Sequence, residues 1–188
     1  HTSARIALGR VGSSLPTSEV LKFGLAHAQA RDAVHRPLDF AGLREQLDSA
    51  GFRTLHVCSD APDRPTYLLR PDKGRHLQDD CYARLSAQAP APELAIVIAD
   101  GLSSIAVQRH AVPLLELFRQ RFATDWANTP VVLAEQGRVA IGDGIAVALR
   151  ARLVIVLIGE RPGLTSPDSL GLYLSYQPQV GMMDSQRN

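Results

Sequence analysis

One stretch of the chain decides the fold: Leu94-Ala95-Ile96-Val97-Ile98-Ala99-Asp100-Gly101-Leu102-Ser103-Ser104. Its first six residues are all apolar, which is typical of a strand buried on both faces of a parallel sheet. The Asp-Gly pair then ends the strand, and Ser103 or Ser104 is placed to cap a helix. The stretch therefore predicts a strand, a tight turn and the start of a helix, the repeating unit of an α/β fold.

The same pattern recurs on both sides of this stretch. The predicted strands cover residues 54–58, 94–99, 130–134 and 153–158. The predicted helices lie between them, at residues 73–87, 104–123 and 142–150. Pro113 would open or kink the second of these helices. We predict an α/β domain over residues 51–188, with a Rossmann-like, doubly wound, mostly parallel sheet, and an antiparallel or edge strand over residues 171–177.

The first fifty residues follow a different pattern. After a Gly/Ser/Pro-rich break, Thr17 or Ser18 is placed to cap a helix, and a second helix starts at Asp39 and ends before Gly51. The first helix repeats its apolar residues at helical spacing: Val20, Leu21, Leu25 and Ala28. Residues 1–50 are therefore predicted to form a small helical N-terminal domain.

Composition argues against several classes of function. The 20 basic and 19 acidic residues nearly cancel, so we predict no nucleic-acid partner. No apolar run reaches the roughly 20 residues that span a bilayer, so no membrane partner is predicted either. Cys58 and Cys81 form no CxxC pair and are predicted to be reduced and buried. The histidines lack metal-ligand spacing and are predicted to be structural, so no metal site is predicted.

Ligands of open parallel sheets bind beyond the carboxyl ends of the strands. The loops predicted there cover residues 60–63, 100–104, 136–139 and 159–164. Glu160 and Arg161 lie in the last loop between two glycines and a proline, where they offer an acceptor and a donor to the amide fringe of a large ligand. Val139 is an apolar residue that can lie flat against such a ligand. The ordinary alternatives are a loop salt bridge and a core-facing valine.

Familiar nucleotide and hydrolase motifs are absent from the sequence. It has no GxGxxG after a strand, no GxxxxGK[ST] and no GxSxG elbow. The turn at residues 70–75 opens a predicted helix, whose free amides would receive either an anion or the side chain of Asp72.

Taken in order, several short motifs resemble the light chain of ethanolamine ammonia-lyase, and the resemblance covers nearly the whole chain. In the N-terminal half they are Ala4-Arg5-Ile6, Gly9-Arg10, Arg31-Asp32-Ala33-Val34, Tyr67-Leu68-Leu69-Arg70-Pro71-Asp72 and Gly74-Arg75. In the C-terminal half they are Ile98-Ala99-Asp100-Gly101-Leu102-Ser103, Gly137-Arg138-Val139 and Gly159-Glu160-Arg161-Pro162-Gly163-Leu164.

The resemblance implies the small subunit of an enzyme that converts ethanolamine into acetaldehyde and ammonia by a radical mechanism, with adenosylcobalamin as cofactor. The cobalamin would lie between this chain and a large subunit, which would carry the substrate site. Carried over by position, the corrin contacts fall on Val139, through its apolar side chain and backbone, and on Glu160, through a hydrogen bond to a peripheral amide. Arg138 and Arg161 are their expected neighbours. None of these residues is expected to be catalytic.

The family's cobalamin keeps its own benzimidazole on cobalt, in keeping with the lack of a DxHxxG motif here. The family's chain also continues into a segment whose cysteine contacts the cofactor. Since this sequence stops at Asn188, that contact is expected to be missing. The isolated chain is expected to be inactive. The resemblance places the protein in the bacterial cytoplasm, within an ethanolamine-utilisation microcompartment.

Three rival interpretations stay open at the level of sequence. The chain is a non-enzymatic binding module for another nucleotide-like ligand, or it is a hydrolase that uses Asp100, Ser103 and a histidine. In the third, it is an assembly element that offers an apolar surface to the large subunit.

Overall fold

A computed structural model of the chain describes residues 8–164, 166 and 168–188. The helices are α1 Thr17–His35, α2 Phe40–Ser49, α3 Arg64–Leu69, α4 Asp79–Ser86, α5 Ser104–Arg121 and α6 Ile141–Leu149, with short 3-10 helices at Lys73–Arg75 and Asp184–Gln186. The strands are β1 Arg53–Cys58, β2 Leu94–Ala99, β3 Pro130–Glu135, β4 Leu153–Gly159 and β5 Leu170–Tyr176. The motif at residues 4–6 lies outside the described residues.

The five strands form one sheet in the order β1-β3-β2-β4-β5. The first four are parallel, and β5 pairs antiparallel with β4. The predicted α/β class and mostly parallel sheet are confirmed, as is the antiparallel strand predicted over residues 171–177. The closer description as Rossmann-like stays a prediction.

Helices cover both faces of the sheet because the crossovers run in two directions. The connections through α4 and α6 lead from β1 to β2 and from β3 to β4, whereas the connection through α5 leads back from β2 to β3. Crossovers of one handedness that run in opposite directions place their helices on opposite faces. Accordingly, α4 and α6 pack on one face, and α2 and α5 pack on the other.

Strand β2 forms the centre of the core. Ala95, Val97 and Ala99 face α4 and α6, and the alternate residues Leu94, Ile96 and Ile98 face α2 and α5. This two-sided burial explains why the strand is apolar at every position. Truncation of Ile98 to alanine would cost about 2–5 kcal/mol.

The N-terminal helices differ from each other in packing. Leu43 and Leu47 of α2 are fully buried in the core on the sheet. Helix α1 buries only Ala26 and Ala33, while Val20, Leu21 and Leu25 are each more than half exposed. The apolar face predicted for α1 is therefore not its buried face. The proposed domain boundary at residue 50 stays a prediction.

The region 60–87 departs most from the sequence-based prediction. Helix α3 was not predicted; it begins after Asp63, whose side chain accepts a hydrogen bond from the Thr66 amide at 2.8 Å. The helix predicted over residues 73–87 is instead a 3-10 turn and α4, separated by extended residues 76–78. Leu77 forms a β-bridge with Ser59 there, and the Gln78 amide donates to the Cys58 carbonyl at 3.2 Å. These long-range bonds outweigh local helix propensity.

Helix α5 begins where its cap predicts. The Ser103 hydroxyl accepts a hydrogen bond from the Ala106 amide at 3.3 Å. Pro113 lies inside the helix and does not open it.

Candidate functional site

The candidate site is a small cleft at the carboxyl edge of the sheet. Its volume is about 110 Å³, and its walls include Val139, Ile158, Glu160 and Arg138. Val139 precedes α6, whereas Glu160 follows β4. The structure therefore brings together the two residues that were predicted separately. Arg161 is exposed and is not among the described residues that line this cleft.

Glu160 is held by strand β5. Its backbone amide donates to the Ser169 carbonyl at 2.9 Å, and its Oε1 accepts a hydrogen bond from the Tyr173 hydroxyl at 2.7 Å. This hydrogen bond to the carboxylate is the main reason that the pKa of Tyr173 is raised to about 12, so Tyr173 stays a donor. A β-carbon at Gly171 would overlap Oε1, so glycine there leaves room for the carboxylate.

Tyr173 fixes Glu160 without exhausting its acceptors. A carboxylate offers about four lone-pair sites, and Tyr173 occupies one of them. The Glu160 side chain is half-buried at the cleft wall. It is therefore oriented to accept further hydrogen bonds from a ligand.

Val139 contacts both the cleft and the core. Its carbonyl accepts a hydrogen bond from the Gly142 amide at 3.1 Å at the start of α6. Its half-buried side chain packs against the core on the α4/α6 face and also lines the cleft. The Val139 side chain therefore faces the core on one side, as the alternative interpretation has it, and the cleft on the other, where a ligand contact is predicted.

Tyr67 lies between two arginines beside the cleft. The guanidinium carbons of Arg64 and Arg138 lie 4.8 and 4.2 Å from the centroid of its ring, within cation–π range. Its hydroxyl donates to the Gly137 carbonyl at 3.2 Å, and Arg138 Nη2 donates to the Tyr67 carbonyl at 3.1 Å. Burial raises the pKa of Tyr67. These contacts hold Arg138 in place, although its buried Nε has no hydrogen-bond partner among the residues that the structure describes.

Asp100 ties two of the loops together. The residue is 4% exposed, and Oδ1 accepts hydrogen bonds from the amides of Gly101 at 3.0 Å and Gly137 at 3.1 Å. Burial raises the pKa of this carboxyl to about 6, against the opposing effect of Arg64, whose Nη1 lies 3.5 Å from Oδ2. Asp100 is thus engaged in holding the loops, and the buried Ser103 caps α5. These roles give no support to the hydrolase interpretation.

The two glycines at the ends of β2 and β4 let their loops approach closely. The Leu102 amide donates to the Gly159 carbonyl at 2.7 Å. A β-carbon on Gly159 would overlap the Ser103 carbonyl, and one on Gly101, which has φ +59°, would overlap the Gly159 carbonyl. Both positions therefore require glycine.

The turn at residues 70–75 packs on the site rather than offering an anion pocket. Asp72 pairs with Arg70 at 2.7 Å and makes no side-chain cap. The Gly74 carbonyl accepts a hydrogen bond from the Arg138 amide at 2.7 Å. The turn thus supports the loop that carries Val139.

Comparison with known proteins shows the family of the chain. A family model described as ethanolamine ammonia-lyase light chain (EutC) matches residues 1–188. The chain belongs to this light-chain family. Curated relatives named ethanolamine ammonia-lyase small subunit include one from Pseudomonas putida and one from Azotobacter vinelandii, each 54% identical over 192 residues. Both alignments cover 100% of this chain and 71% of the relative.

A third relative of the same name, from Pseudomonas fluorescens, is 55% identical and is covered over 70% of its length. The light chain is thus a subunit of a lyase, and its description as a small subunit implies a partner subunit. Among the described residues, no helix combines the length and the apolar character that a membrane crossing requires.

Two residues at or beside the candidate site were not predicted from the sequence. Tyr67 belongs to the motif at residues 67–72, but it was not placed at the cleft because helix α3 was not predicted. Arg64 lies on the same helix and had no motif to mark it. Asp63 followed by Pro65 is a helix-start signal, and this signal could have predicted helix α3.

Proposed function

We propose that this light chain holds one edge of the corrin ring of adenosylcobalamin in the cleft of Val139 and Glu160. The observation that carries the proposal is the meeting of an apolar side chain and a fixed carboxylate in that cleft. Val139 would contact the ring, and Glu160 would accept a hydrogen bond from a peripheral amide. Arg138, which also lines the cleft, would donate toward an amide carbonyl.

The size of the cleft supports a shared binding site. Sites that enclose a small ligand measure about 300–1,000 Å³, well above the 110 Å³ found here. The cleft fits the fringe of a large cofactor rather than the whole of it. The rest of the cobalamin would then be covered by a large subunit, which would also carry the ethanolamine site.

The chain's own groups position the cofactor and do not perform the reaction. When bound, adenosylcobalamin supplies the homolytic radical chemistry by which ethanolamine becomes acetaldehyde and ammonia. Glu160 and Arg138 orient the ring edge, and Val139 excludes water from it. Glu160 would act as a hydrogen-bond acceptor, oriented by Tyr173, and no proton transfer is assigned to it.

An assembly role is favoured by the exposed side of α1. Val20, Leu21 and Leu25 form part of an apolar surface on a helix that buries little of itself against the sheet. Exposed apolar patches of this kind mark protein interfaces. We infer that the large subunit covers this surface in a hetero-oligomer, and that the isolated chain is inactive. We further propose that the enzyme works in the bacterial cytoplasm within an ethanolamine-utilisation microcompartment.

The test combines the chain with a purified large subunit, adenosylcobalamin and ethanolamine, and measures acetaldehyde. Equilibrium dialysis of cobalamin and the size of the complex are measured on the same sample. We expect acetaldehyde only when both subunits are present, and cobalamin affinity that depends on both. Assembly with cobalamin affinity unchanged by Glu160→Ala and Val139→Asp would overturn the proposed cleft. Failure of the two chains to associate would favour a separate binding module.

A further inference from the structure

Three potential metal ligands meet on the sheet, outside the cleft of Val139 and Glu160. The imidazole of His56, the thiol of Cys58 and the carboxylate of Glu135 place one ligand atom each within 4.8 Å of one another. We propose that these three residues bind one zinc-type divalent transition-metal ion. This proposal replaces the sequence-based expectation that His56 and Cys58 are purely structural.

The strands fix the arrangement of the three side chains. His56 and Cys58 lie two residues apart on β1, and their ligand atoms lie within 4.8 Å of each other. Cys58 pairs with Glu135 in the parallel register of β1 and β3, which brings the carboxylate alongside the thiol. A site built on paired strands holds its ligands more firmly than one built on loops. The edge of the Phe40 ring also packs on the His56 imidazole, with the centroids 5.8 Å apart.

The distances suit a tetrahedral ion after small movements. Ligand atoms about 2.0–2.3 Å from a tetrahedral zinc ion are roughly 3.3–3.8 Å apart. His56 Nε2 and Glu135 Oε1 are 2.8 Å apart, and no pair exceeds 4.8 Å, so shifts of about 1 Å would bring all three into place. His56 and Glu135 are partly exposed, which allows these shifts.

The combination of ligands selects the class of ion. Nitrogen, sulfur and oxygen donors together favour zinc and its neighbours over calcium or magnesium, which take oxygen ligands.

Cys58 distinguishes this cluster from an ordinary hydrogen-bonded pair, because His56 and Glu135 already lie 2.8 Å apart. Binding of a metal ion would release the proton of the thiol. Arg84 is a nearby positive charge, and its Nη2 lies 3.1 Å from Cys81 Sγ.

The test titrates the metal-free full chain with Co²⁺ and follows the sulfur-to-cobalt charge-transfer absorption, then displaces the cobalt with Zn²⁺. We expect one ion per chain. Cys58→Ser should abolish the charge-transfer band, and His56→Gln and Glu135→Gln should each weaken metal affinity at least tenfold. Cys81→Ser is the matched control and should keep the band, since Cys81 is not one of the three ligands.

Circular dichroism checks that each variant is folded, and native mass spectrometry counts zinc on His56→Gln and Glu135→Gln, which change partly exposed positions. An unchanged band in Cys58→Ser would overturn the proposal. Zinc content below one ion per chain at saturating Zn²⁺, or equal zinc affinity in all variants, would overturn it as well.

Discussion

Tyr173 donates a hydrogen bond to Glu160 across 2.7 Å, and this bond joins the antiparallel strand β5 to the loop after β4. The strand therefore does more than complete the sheet. It sets the direction of the carboxylate that we assign to the corrin fringe.

Glu160→Ala should lower the cobalamin affinity of the assembled enzyme about tenfold, because it removes one hydrogen bond of roughly 1–2 kcal/mol. Its fold should persist, since the side chain contributes little to the core. Equilibrium dialysis and thermal melting measure the two effects.

Tyr173→Phe should give a smaller loss of cobalamin affinity than Glu160→Ala, because Glu160 remains but is less well oriented. Tyr176→Phe, which alters an exposed tyrosine of the same strand, serves as the control and should bind cobalamin normally. Equal affinities in all of these proteins would place Glu160 away from the cofactor.

Val139→Asp should reduce cobalamin affinity by at least two orders of magnitude, since a charge in a dry contact costs several kcal/mol. Val139→Ile keeps the apolar character and should bind within a few-fold of the wild type. Both variants are compared in the assembled enzyme by the same dialysis measurement. If Val139→Asp assembled and bound cobalamin normally, the residue would have no contact with the ring.

Asp100 should make stability depend on pH. Burial raises its pKa from 3.8 to about 6, so the folded state holds this proton more tightly than the unfolded state. The resulting stabilisation is present in full below pH 3.8 and is lost as the pH rises through about 6. The shift corresponds to at most about 3 kcal/mol.

Asp100→Asn has no carboxyl to titrate and should lack this dependence. Urea unfolding of both proteins between about pH 4 and pH 7 gives the difference in their unfolding free energies. We expect the unfolding free energy of the wild type to fall relative to that of Asp100→Asn as the pH rises. A difference that stays constant would show that Asp100 titrates at its ordinary pKa.

Gly159→Ala should destabilise the protein by at least about 2 kcal/mol, because its β-carbon would overlap the Ser103 carbonyl. Gly24→Ala is the matched control: it lies in α1, where no atom of the described residues lies within 4 Å of a new β-carbon, and it should stabilise the helix by about 0.5–1 kcal/mol. Denaturant midpoints of the two variants test the contrast. Equal denaturant midpoints would show that the loops after β2 and β4 can move apart with no loss of stability.

Strands were predictable from the sequence because their signal is local. The continuous apolar run at residues 94–99 can be buried on both faces only in a sheet that is covered on both sides, and β2 has the predicted bounds. Helix α4 shows where this reasoning stops. Its predicted first turn was replaced by the bridge between Leu77 and Ser59, a contact between distant parts of the chain that no periodicity reveals.

The candidate site also has features that the sequence predicts and features that it does not. Val139 and Glu160 came from motifs, and the structure brings them into one cleft. The hydrogen bond from Tyr173 and the arginines stacked on Tyr67 depend on tertiary packing, so they were not predicted from the sequence. His56 and Cys58 are two residues apart in a predicted strand, so this pair can be recognised in the sequence. The third proposed ligand, Glu135, comes near them only through the pairing of β1 with β3.

Gly101 and Gly159, which let the loops after β2 and β4 approach each other, also bear on how the chain folds. The bond from the Leu102 amide to the Gly159 carbonyl joins loops that are separated in the chain by α5, β3, α6 and β4. Contacts between such distant parts of a chain form slowly, because a long loop must close before they can be made. We therefore expect the cleft to be completed only after the central strands have paired. A ligand that needs its completed shape would then bind the folded chain and would not guide its folding.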